Sequence, residues 1–251
     1  MKTVTFQRND IHKGSLILIN KHYPMARRTL TCKSLIPAWT QNTDIFLEIK
    51  TAAVLSHLVS SLKCQGEIAP VSGYRSFEEQ QRIYEDSLKE NGREFTEKYV
   101  AMPDHSEHQT GLAIDLALKK EDIDFIRPDF PYEGICDRFR RRAPLYGFVE
   151  RYQKGKEEIT GIAHEPWHFR YVGYPHSLIM NERGLSLEEY IEIMKCYPYE
   201  EEHFVTDIKG QVIEIFYVKA ETECRALELP GDSIYQISGN NIDGFIVTLW
   251  V

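Results

Sequence analysis

The chain has 251 residues, a formal net charge of -8, an apolar fraction of 42% and a charged fraction of 27%. Such a length suits one sizeable catalytic domain, alone or with a small appendage, and the ordinary composition excludes a disordered chain. The acidic charge excludes nucleic acid as an expected partner, because proteins that bind the phosphate backbone need a dense basic surface.

The first predicted helix follows the polar cluster Asn42-Thr43-Asp44, whose side chains are typical of a helix N-cap. The apolar residues after it recur at helical spacing and predict a face packed against the core. They are Ile45, Ile49, Ala52, Leu55, Leu58, Val59 and Leu62. The next apolar stretch, Ile68 to Val71, contains Pro70, which cannot donate a backbone hydrogen bond. We therefore predict a strand at a sheet edge or a strand end there.

The second predicted helix begins with a capping box formed by Ser76 and Glu79. It runs to Asn91-Gly92, since these residue types commonly end helices. Arg75 consequently lies on a turn between a strand and a helix. A side chain at such a turn is well placed to point into a cleft.

Two later segments are predicted as strands. Leu112 to Leu118 alternates between large and small side chains, which places Asp115 on the face with the alanines. A carboxylate among apolar strand residues requires a cation or hydrogen-bond donors, because an unpaired buried charge is very costly. Trp167 to Val172 is the second predicted strand, with His168 and Arg170 on one face.

From about residue 200, short strands alternate with turns such as Asp207 to Gly210 and Gly239 to Gly244. We predict a small β-rich appendage over residues 211–251, attached after a helix at residues 186–194. The expected domains are therefore a catalytic domain at residues 1–198 and the appendage at residues 199–251.

Neither the N-terminus nor any later segment has an apolar run long enough for a secretion signal or a membrane helix. We therefore expect a cytoplasmic protein with no membrane segment. The five cysteines lack a C-x-x-C pair and are expected to be reduced, mostly buried thiols. They are Cys32, Cys64, Cys136, Cys196 and Cys224. The short basic cluster at residues 138–142 is interpreted as a solvated helix face.

Residue types that bind zinc are concentrated in two segments, SEHQTGLAID at Ser106 to Asp115 and HEPWHFRYVG at His164 to Gly173. A catalytic zinc site takes three nitrogen, oxygen or sulfur ligands from the protein and keeps a fourth position for water. Several triads are compatible with the spacing. One is the H-E-x-x-H pattern at residues 164–168, which requires both histidines on one face of a helix.

Pro166 argues against that helix, because proline is tolerated only in the first turn and the residues after it favour a strand. In a strand, residues four apart can share a face but lie about 13 Å apart, too far to bind one ion. On this interpretation His164 and His168 are not both ligands.

Three motifs carry a family resemblance. They are S-G-Y-R-S-x-x-x-Q at Ser72 to Gln80, S-E-H-Q-T-G-x-A-x-D at Ser106 to Asp115, and E-P-W-H-x-R-Y-V-G at Glu165 to Gly173. Together they resemble the VanY-type D-alanyl-D-alanine carboxypeptidases over roughly residues 10–195. The resemblance implies an α+β fold of the hedgehog/D-Ala-D-Ala peptidase type, in which helices flank a central antiparallel sheet.

The resemblance also implies the roles of individual residues. One zinc ion per chain is expected on His108, Asp115 and His168, with Glu165 as the general base. Arg75 is expected to stabilise the transition state, while the substrate is expected to contact two further side chains, those of Gln80 and Ser106. The sequence departs from the family at Asp104, where relatives commonly carry a glycine after the proline. This departure concerns the rim of the cleft and leaves the metal site unaffected.

Within the family, a chain without a secretion signal resembles most the bifunctional VanXY enzymes of glycopeptide (vancomycin) resistance. The implied substrates are D-Ala-D-Ala dipeptide and the terminal D-Ala of muramyl pentapeptide precursors. Alternatives are an L,D-carboxypeptidase or peptidoglycan endopeptidase of the same fold, or a non-catalytic peptide-binding module stabilised by zinc. Glu165 favours an enzyme, because a structural zinc site is closed by four protein ligands and needs no spare carboxylate.

Overall fold

The computed structural model describes residues 1–26, 34–39, 42–221 and 223–251. Its contacts divide the chain into two compact units. The larger unit is Ile19–Ser186, and the smaller unit combines Met1–Leu18 with Leu187–Val251. The domains expected from the sequence, divided after residue 198, stay a prediction. The contacts add the first 18 residues and the last helix to the β-rich unit.

The described ranges contain both strands and helices. The strands are β1 (Lys2–Gln7), β2 (Leu35–Trp39), β3 (Asn42–Glu48), β4 (Ile68–Ser72), β5 (Ala113–Leu118), β6 (Phe148–Tyr152), β7 (Glu165–Tyr171), β8 (Phe204–Ile208), β9 (Gln211–Lys219), β10 (Cys224–Leu229), β11 (Ile234–Gly239) and β12 (Gly244–Trp250). The helices are α1 (Ile49–Leu62), α2 (Phe77–Asn91), α3 (Arg93–Tyr99), α4 (Gly134–Arg142), α5 (Glu157–Thr160), α6 (His176–Arg183) and α7 (Leu187–Lys195).

The larger unit is built on a four-stranded antiparallel sheet with the strand order β4-β5-β7-β6. Strand β4 lies at the edge, as Pro70 predicts, because an edge strand tolerates a missing backbone donor. The central strands are almost wholly buried, and Ile114, Leu116 and Phe169 are fully shielded from solvent. The antiparallel core with flanking helices, expected from the family resemblance, is confirmed.

The start of the first helix was predicted wrongly. Asn42–Glu48 forms strand β3, which pairs with β2, and helix α1 begins only at Ile49. Glu48 caps the helix, since its carboxylate accepts a hydrogen bond from the backbone N–H of Thr51 at 2.9 Å. The apolar periodicity does hold within the helix, where Leu55 and Leu58 are fully buried. Pairing with β2, the strand that directly precedes it in the sequence, overrides the local capping signal at residues 42–44.

The smaller unit contains a four-stranded antiparallel sheet of order β11-β12-β9-β8 and a separate pair of strands, β1 and β10. An apolar cluster joins the pair to the sheet. It consists of Phe6, Phe216, Val218, Leu227, Leu229, Phe245, Val247 and Leu249. The β-rich character predicted for the C-terminal region is therefore confirmed, and β1 adds a strand from the other end of the chain.

The cysteines and the basic cluster differ in part from expectation. Cys64 and Cys136 are buried, whereas Cys196 and Cys224 are exposed, and all four are free thiols. Cys32 lies outside the described residues. In the basic cluster Arg140 is largely buried, so the prediction of a solvated face is wrong for that residue. None of the helices in the described ranges is both long and apolar enough to cross a bilayer.

Helix α2 starts as the sequence predicts. The hydroxyl of Ser76 accepts a hydrogen bond from the backbone N–H of Glu79 at 3.1 Å, and the carboxylate of Glu79 accepts one from the backbone N–H of Ser76 at 2.8 Å. The two bonds satisfy backbone donors that the first turn of a helix leaves free. This cap also fixes the helix directly after Arg75.

Removal of this cap should lower the stability of the larger unit. We expect Ser76→Ala to lower the free energy of unfolding of the larger unit by about 1 kcal/mol, the typical contribution of an N-cap side chain. Denaturant unfolding followed by circular dichroism measures the change. The matched control is Ser61→Ala, whose hydroxyl donates to a carbonyl within helix α1 and caps no helix start. Equal effects of the two substitutions would contradict the prediction.

Candidate active site

Six of the seven side chains singled out from the sequence line one cleft in the larger unit. They are Arg75, Ser106, His108, Asp115, Glu165 and His168. Gln80 lies behind the cleft wall and is fully buried. The cleft therefore collects residues from three motifs that are far apart in the sequence.

The sheet brings the expected metal ligands together. Asp115 on β5 pairs directly with His168 on β7, so their side chains leave the same face of the sheet. His108 lies on a short 3-10 helix, Glu107–Thr110, that precedes β5. One potential ligand atom from each of the three residues lies within 4.8 Å of the other two, and all three side chains are buried.

Hydrogen bonds select which histidine nitrogen faces the site. Nδ1 of His108 donates to the carbonyl oxygen of Gly73 at 2.7 Å, which leaves Nε2 directed at Asp115, 3.0 Å away. In His168 the arrangement is reversed, because Nε2 donates to Glu107 at 3.3 Å and Nδ1 lies 2.9 Å from Asp115. Such outer partners orient metal-binding histidines and fix their tautomers. The donor set facing the cleft is thus Nε2 of His108, Nδ1 of His168 and the carboxylate of Asp115.

Glu107 is a residue of the candidate site that sequence reasoning missed. Its side chain is wholly buried, and one carboxylate oxygen lies 2.8 Å from Nε of Arg151 and 2.9 Å from a guanidinium nitrogen of Arg170. Burial by itself would raise the pKa of Glu107, but the charges of the two arginines hold it well below its usual range. The other oxygen is then a permanently charged acceptor for His168. Arg170, within the strand predicted at Trp167 to Val172, was a signal for such an acid.

Glu165 is the first residue of β7 and is 5% exposed. Its carboxylate lies 3.9 Å from Nδ1 of His168, close to the three potential ligands but outside their hydrogen-bonded group. Burial raises the pKa of Glu165 to about 8, although the neighbouring His168 opposes the shift and the charge of Asp115 adds to it. A carboxyl group with this pKa can take up and release a proton near neutral pH.

The two histidines are shifted in opposite directions. Burial lowers the pKa of His108 to about 4, and the nearby guanidinium of Arg75 adds to the effect. Burial acts the same way on His168, but its hydrogen bonds to Asp115 and Glu107 dominate and raise its pKa to about 9. Neutral His108 already has a nitrogen lone pair that can bind a metal ion, whereas protonated His168 must first release a proton.

Arg75 is held rigidly at the cleft by three neighbours. Its guanidinium donates to Ser72 at 2.8 Å, to Gln80 at 3.3 Å and to Asp115 at 3.1 Å. Gln80 in turn donates to the carbonyl oxygen of Ala101 at 2.7 Å. The observed contacts of Gln80 are therefore with Arg75 and the backbone, and its expected contact with substrate stays a prediction. Ser106 lies on the cleft wall.

His164 does not join the three potential ligands among the residues that the structure describes. It immediately precedes β7, and its Nε2 lies 2.7 Å from the hydroxyl of Tyr132. The strand predicted from Pro166 is confirmed, since Glu165–Tyr171 is extended. The H-E-x-x-H sequence therefore does not form the helical pattern in which both histidines share a face.

The rim residue Asp104 adopts a backbone conformation that favours glycine. Its φ angle is +66°, in the left-handed region. Its backbone N–H donates to the side chain of Gln109 at 2.8 Å, and its carbonyl oxygen accepts from Met25 at 2.7 Å. The turn at the rim is therefore left-handed even though Asp104 stands where relatives commonly carry a glycine.

Known proteins resemble this chain in sequence. A profile of the VanY family, described as D-alanyl-D-alanine carboxypeptidase, matches residues 44–174. The bifunctional D-Ala-D-Ala dipeptidase and D-Ala-D-Ala carboxypeptidase VanXYC of Enterococcus gallinarum is 45% identical over 178 residues, which are 70% of this chain and 93% of the relative.

Solved structures are also similar. The vancomycin resistance D,D-dipeptidase VanXYg, in complex with a D-Ala-D-Ala phosphinate analog, has a TM-score of 0.96 and 53% identity, covering 100% of this chain and 99% of its own. A mutant of the D,D-pentapeptidase VanY from a VanB-type resistance cassette, in complex with Zn(II), has a TM-score of 0.57 and 30% identity, covering 70% of this chain and 98% of its own.

The Glu107 network leads to a stability prediction. We expect Glu107→Gln to lower the free energy of unfolding by about 3 to 5 kcal/mol, because it leaves two buried arginines without their anion. It should also weaken metal binding by removing the charged partner of His168. Denaturant unfolding and competition with a chelator measure the two effects. The control is Glu97→Gln, which breaks an exposed pair with Arg93 and should cost much less. A loss as small as the control's would contradict the prediction.

Proposed function

This chain belongs to the VanY family of D-alanyl-D-alanine carboxypeptidases, and we propose that it is a zinc-dependent D,D-peptidase with two substrates. These are the D-Ala-D-Ala dipeptide and peptidoglycan precursor pentapeptides, which lose their terminal D-Ala. The activity would contribute to vancomycin resistance by removing the D-Ala-D-Ala ends. The proposal rests on one observation. Three potential metal-ligand atoms are buried together, and the carboxyl group of a fourth residue, Glu165, lies close to them.

The donor set fits zinc. Two imidazole nitrogens and one carboxylate oxygen are ligands that zinc accepts, and three protein ligands leave a coordination position open, as catalytic sites require. Each histidine also has an outer acceptor, Gly73 for one and Glu107 for the other. A VanY relative was solved with Zn(II). We propose one zinc ion per chain on His108, Asp115 and His168.

Glu165 is assigned the proton transfers. When bound, zinc would act as a Lewis acid on the scissile carbonyl and on water. The carboxylate of Glu165 accepts a proton from the attacking water and then donates it to the nitrogen of the departing D-alanine. Its burial supports this assignment, because it raises the pKa of Glu165 to about 8 and lets the group hold that proton near neutrality.

Arg75 is assigned to the charge that develops on the carbonyl oxygen. A guanidinium fixed in advance by Ser72, Gln80 and Asp115 needs little reorganisation when that charge appears, which is the basis of electrostatic catalysis. Ser106 on the cleft wall is proposed to contact the substrate directly. For Gln80, the contact with Arg75 supports an effect on the substrate through the guanidinium, while the expected direct contact stays a prediction.

The choice of substrates rests on similarity along the whole chain. VanXYg is named a D,D-dipeptidase and matches this protein over both of its units, and VanXYC is named for both activities. These matches favour D,D-specificity over the L,D-carboxypeptidase alternative. The open coordination position and Glu165 favour an enzyme over a zinc-stabilised binding module. The cytoplasmic location expected from the sequence stays a prediction, and fractionation of expressing cells would test it.

The role of Glu165 can be tested directly. We expect Glu165→Ala to keep one zinc ion per chain and to lower kcat by at least about a hundredfold, a common contribution of general acid–base catalysis. Metal analysis and steady-state kinetics with saturating zinc measure both quantities. Glu158→Ala, at an exposed acid on the preceding helix, is the control and should remain active. Full activity of the zinc-loaded Glu165 variant would remove it from the mechanism.

The substrate class can be tested by the release of D-alanine. We expect the purified protein with zinc to cleave both D-Ala-D-Ala and muramyl pentapeptide, and a chelator to abolish both activities. Cleavage of the pentapeptide alone would reduce the function to that of a plain D,D-carboxypeptidase. Cleavage only of a tetrapeptide, at its L,D bond, would support the L,D-carboxypeptidase alternative. Cleavage of no substrate would support the binding module.

A further inference from the structure

The backbone that carries Glu165 has few neighbours within the sheet. Pairing of β7 with β5 ends at His168, and residues 165–167 have no partner on that side within the described residues. On the other side, the register with β6 shifts between the pair Glu150–Phe169 and the pair Tyr152–Glu165, so that one residue of β6 lies opposite three residues of β7. Pro166 has no N–H to donate. Strand pairing alone therefore holds the start of β7 weakly.

The guanidinium of Arg140 supplies a hydrogen bond to this segment. Arg140 lies on helix α4, and one of its terminal nitrogens donates to the carbonyl oxygen of Pro166 at 3.0 Å. The same guanidinium donates to the carbonyl oxygens of Phe130 and Pro131 at 3.1 and 3.2 Å, and its Nε pairs with Glu150. Its side chain is only 13% exposed.

A second chain of contacts reaches the same strand start. The ring of Tyr132 lies under the guanidinium of Arg140, 3.8 Å from it, and the tyrosine hydroxyl donates to Glu150. Nε2 of His164 lies 2.7 Å from that hydroxyl and donates to it. The residues on both sides of Glu165 are thus tied to one arginine–glutamate pair, directly at Pro166 and through Tyr132 at His164.

We propose that Arg140, together with Glu150, is a positioning residue that holds the start of β7 so that the carboxyl group of Glu165 stays directed into the cleft. The proposal rests on the function proposed above. It separates Arg140 from the other arginines of α4, since Arg138, Arg141 and Arg142 are exposed. Those three provide matched positions on the same helix.

The first test compares Arg140→Lys and Arg140→Gln with the control Arg138→Gln. A lysine keeps the charge beside Glu150, but its compact ammonium group lacks the planar fork that also binds the carbonyl oxygen of Pro166. We expect both Arg140 variants to lower kcat for D-Ala-D-Ala by about 10- to 100-fold, the loss that a small misplacement of a catalytic group causes. KM and zinc content should stay close to those of the wild type. An unchanged kcat would overturn the proposal.

A double-mutant cycle separates positioning of Glu165 from a general loss of structure. If Arg140 acts through Glu165, Arg140→Lys has no further effect on the residual kcat of a chain that already carries Glu165→Ala. The same fold-loss in both backgrounds would overturn the proposal. Arg138→Gln should leave kcat unchanged in both backgrounds.

Hydrogen exchange provides a measurement that does not depend on turnover. In the zinc-loaded protein we expect Arg140→Lys and Arg140→Gln to accelerate amide exchange in peptides spanning residues 163–168, while helix α6 keeps its wild-type rates. Unchanged exchange at residues 163–168 would overturn the role of Arg140. If the wild-type protein cleaves neither substrate, the proposed function fails, whereas the exchange rates still decide whether Arg140 holds this segment.

Discussion

The carboxylate of Asp115 contacts three other side chains of the candidate site. One of its oxygens lies 3.0 Å from His108 and 3.1 Å from Arg75, and the other lies 2.9 Å from His168. Asp115 and His168 meet because β5 and β7 pair in one particular register. A shift by one residue would turn Asp115 to the opposite face of the sheet, since side chains alternate along a strand. The register of two central strands therefore determines whether the site exists.

Two arginine–glutamate networks contact strand β7 at different points along its length. Glu107 binds Arg151 and Arg170 deep in the unit and orients His168, while the pair of Arg140 and Glu150 contacts the backbone where the strand begins. Buried ion pairs contribute little net stability, because desolvation offsets their attraction, but removal of one partner is costly. Here the two networks fix the positions of polar groups relative to the cleft.

The local structural features around the candidate site were predicted better than the surrounding fold. The alternation around Asp115, the capping box after Arg75 and the strand signal at Pro166 are local features, and the structure contains all three. Strand β3 was missed because the polar residues at its start resemble a helix cap, although its partner β2 directly precedes it in the sequence. The burial of Arg140 was missed for a different reason. Only the folded chain brings its partners, the carbonyl oxygens of residues 130, 131 and 166, to one guanidinium.

The pairing of β1 with β10, which sets Lys2 opposite Leu229, has a consequence for the order of events during synthesis. The larger unit is one continuous stretch, Ile19–Ser186, so every contact within it can form while the ribosome is still adding the last residues. Strand β1 is made long before β10, so its partner is available only once residues 224–229 have been made. The candidate site can therefore be assembled on the nascent chain before Phe6 gains its apolar partners on β9, β10 and β12.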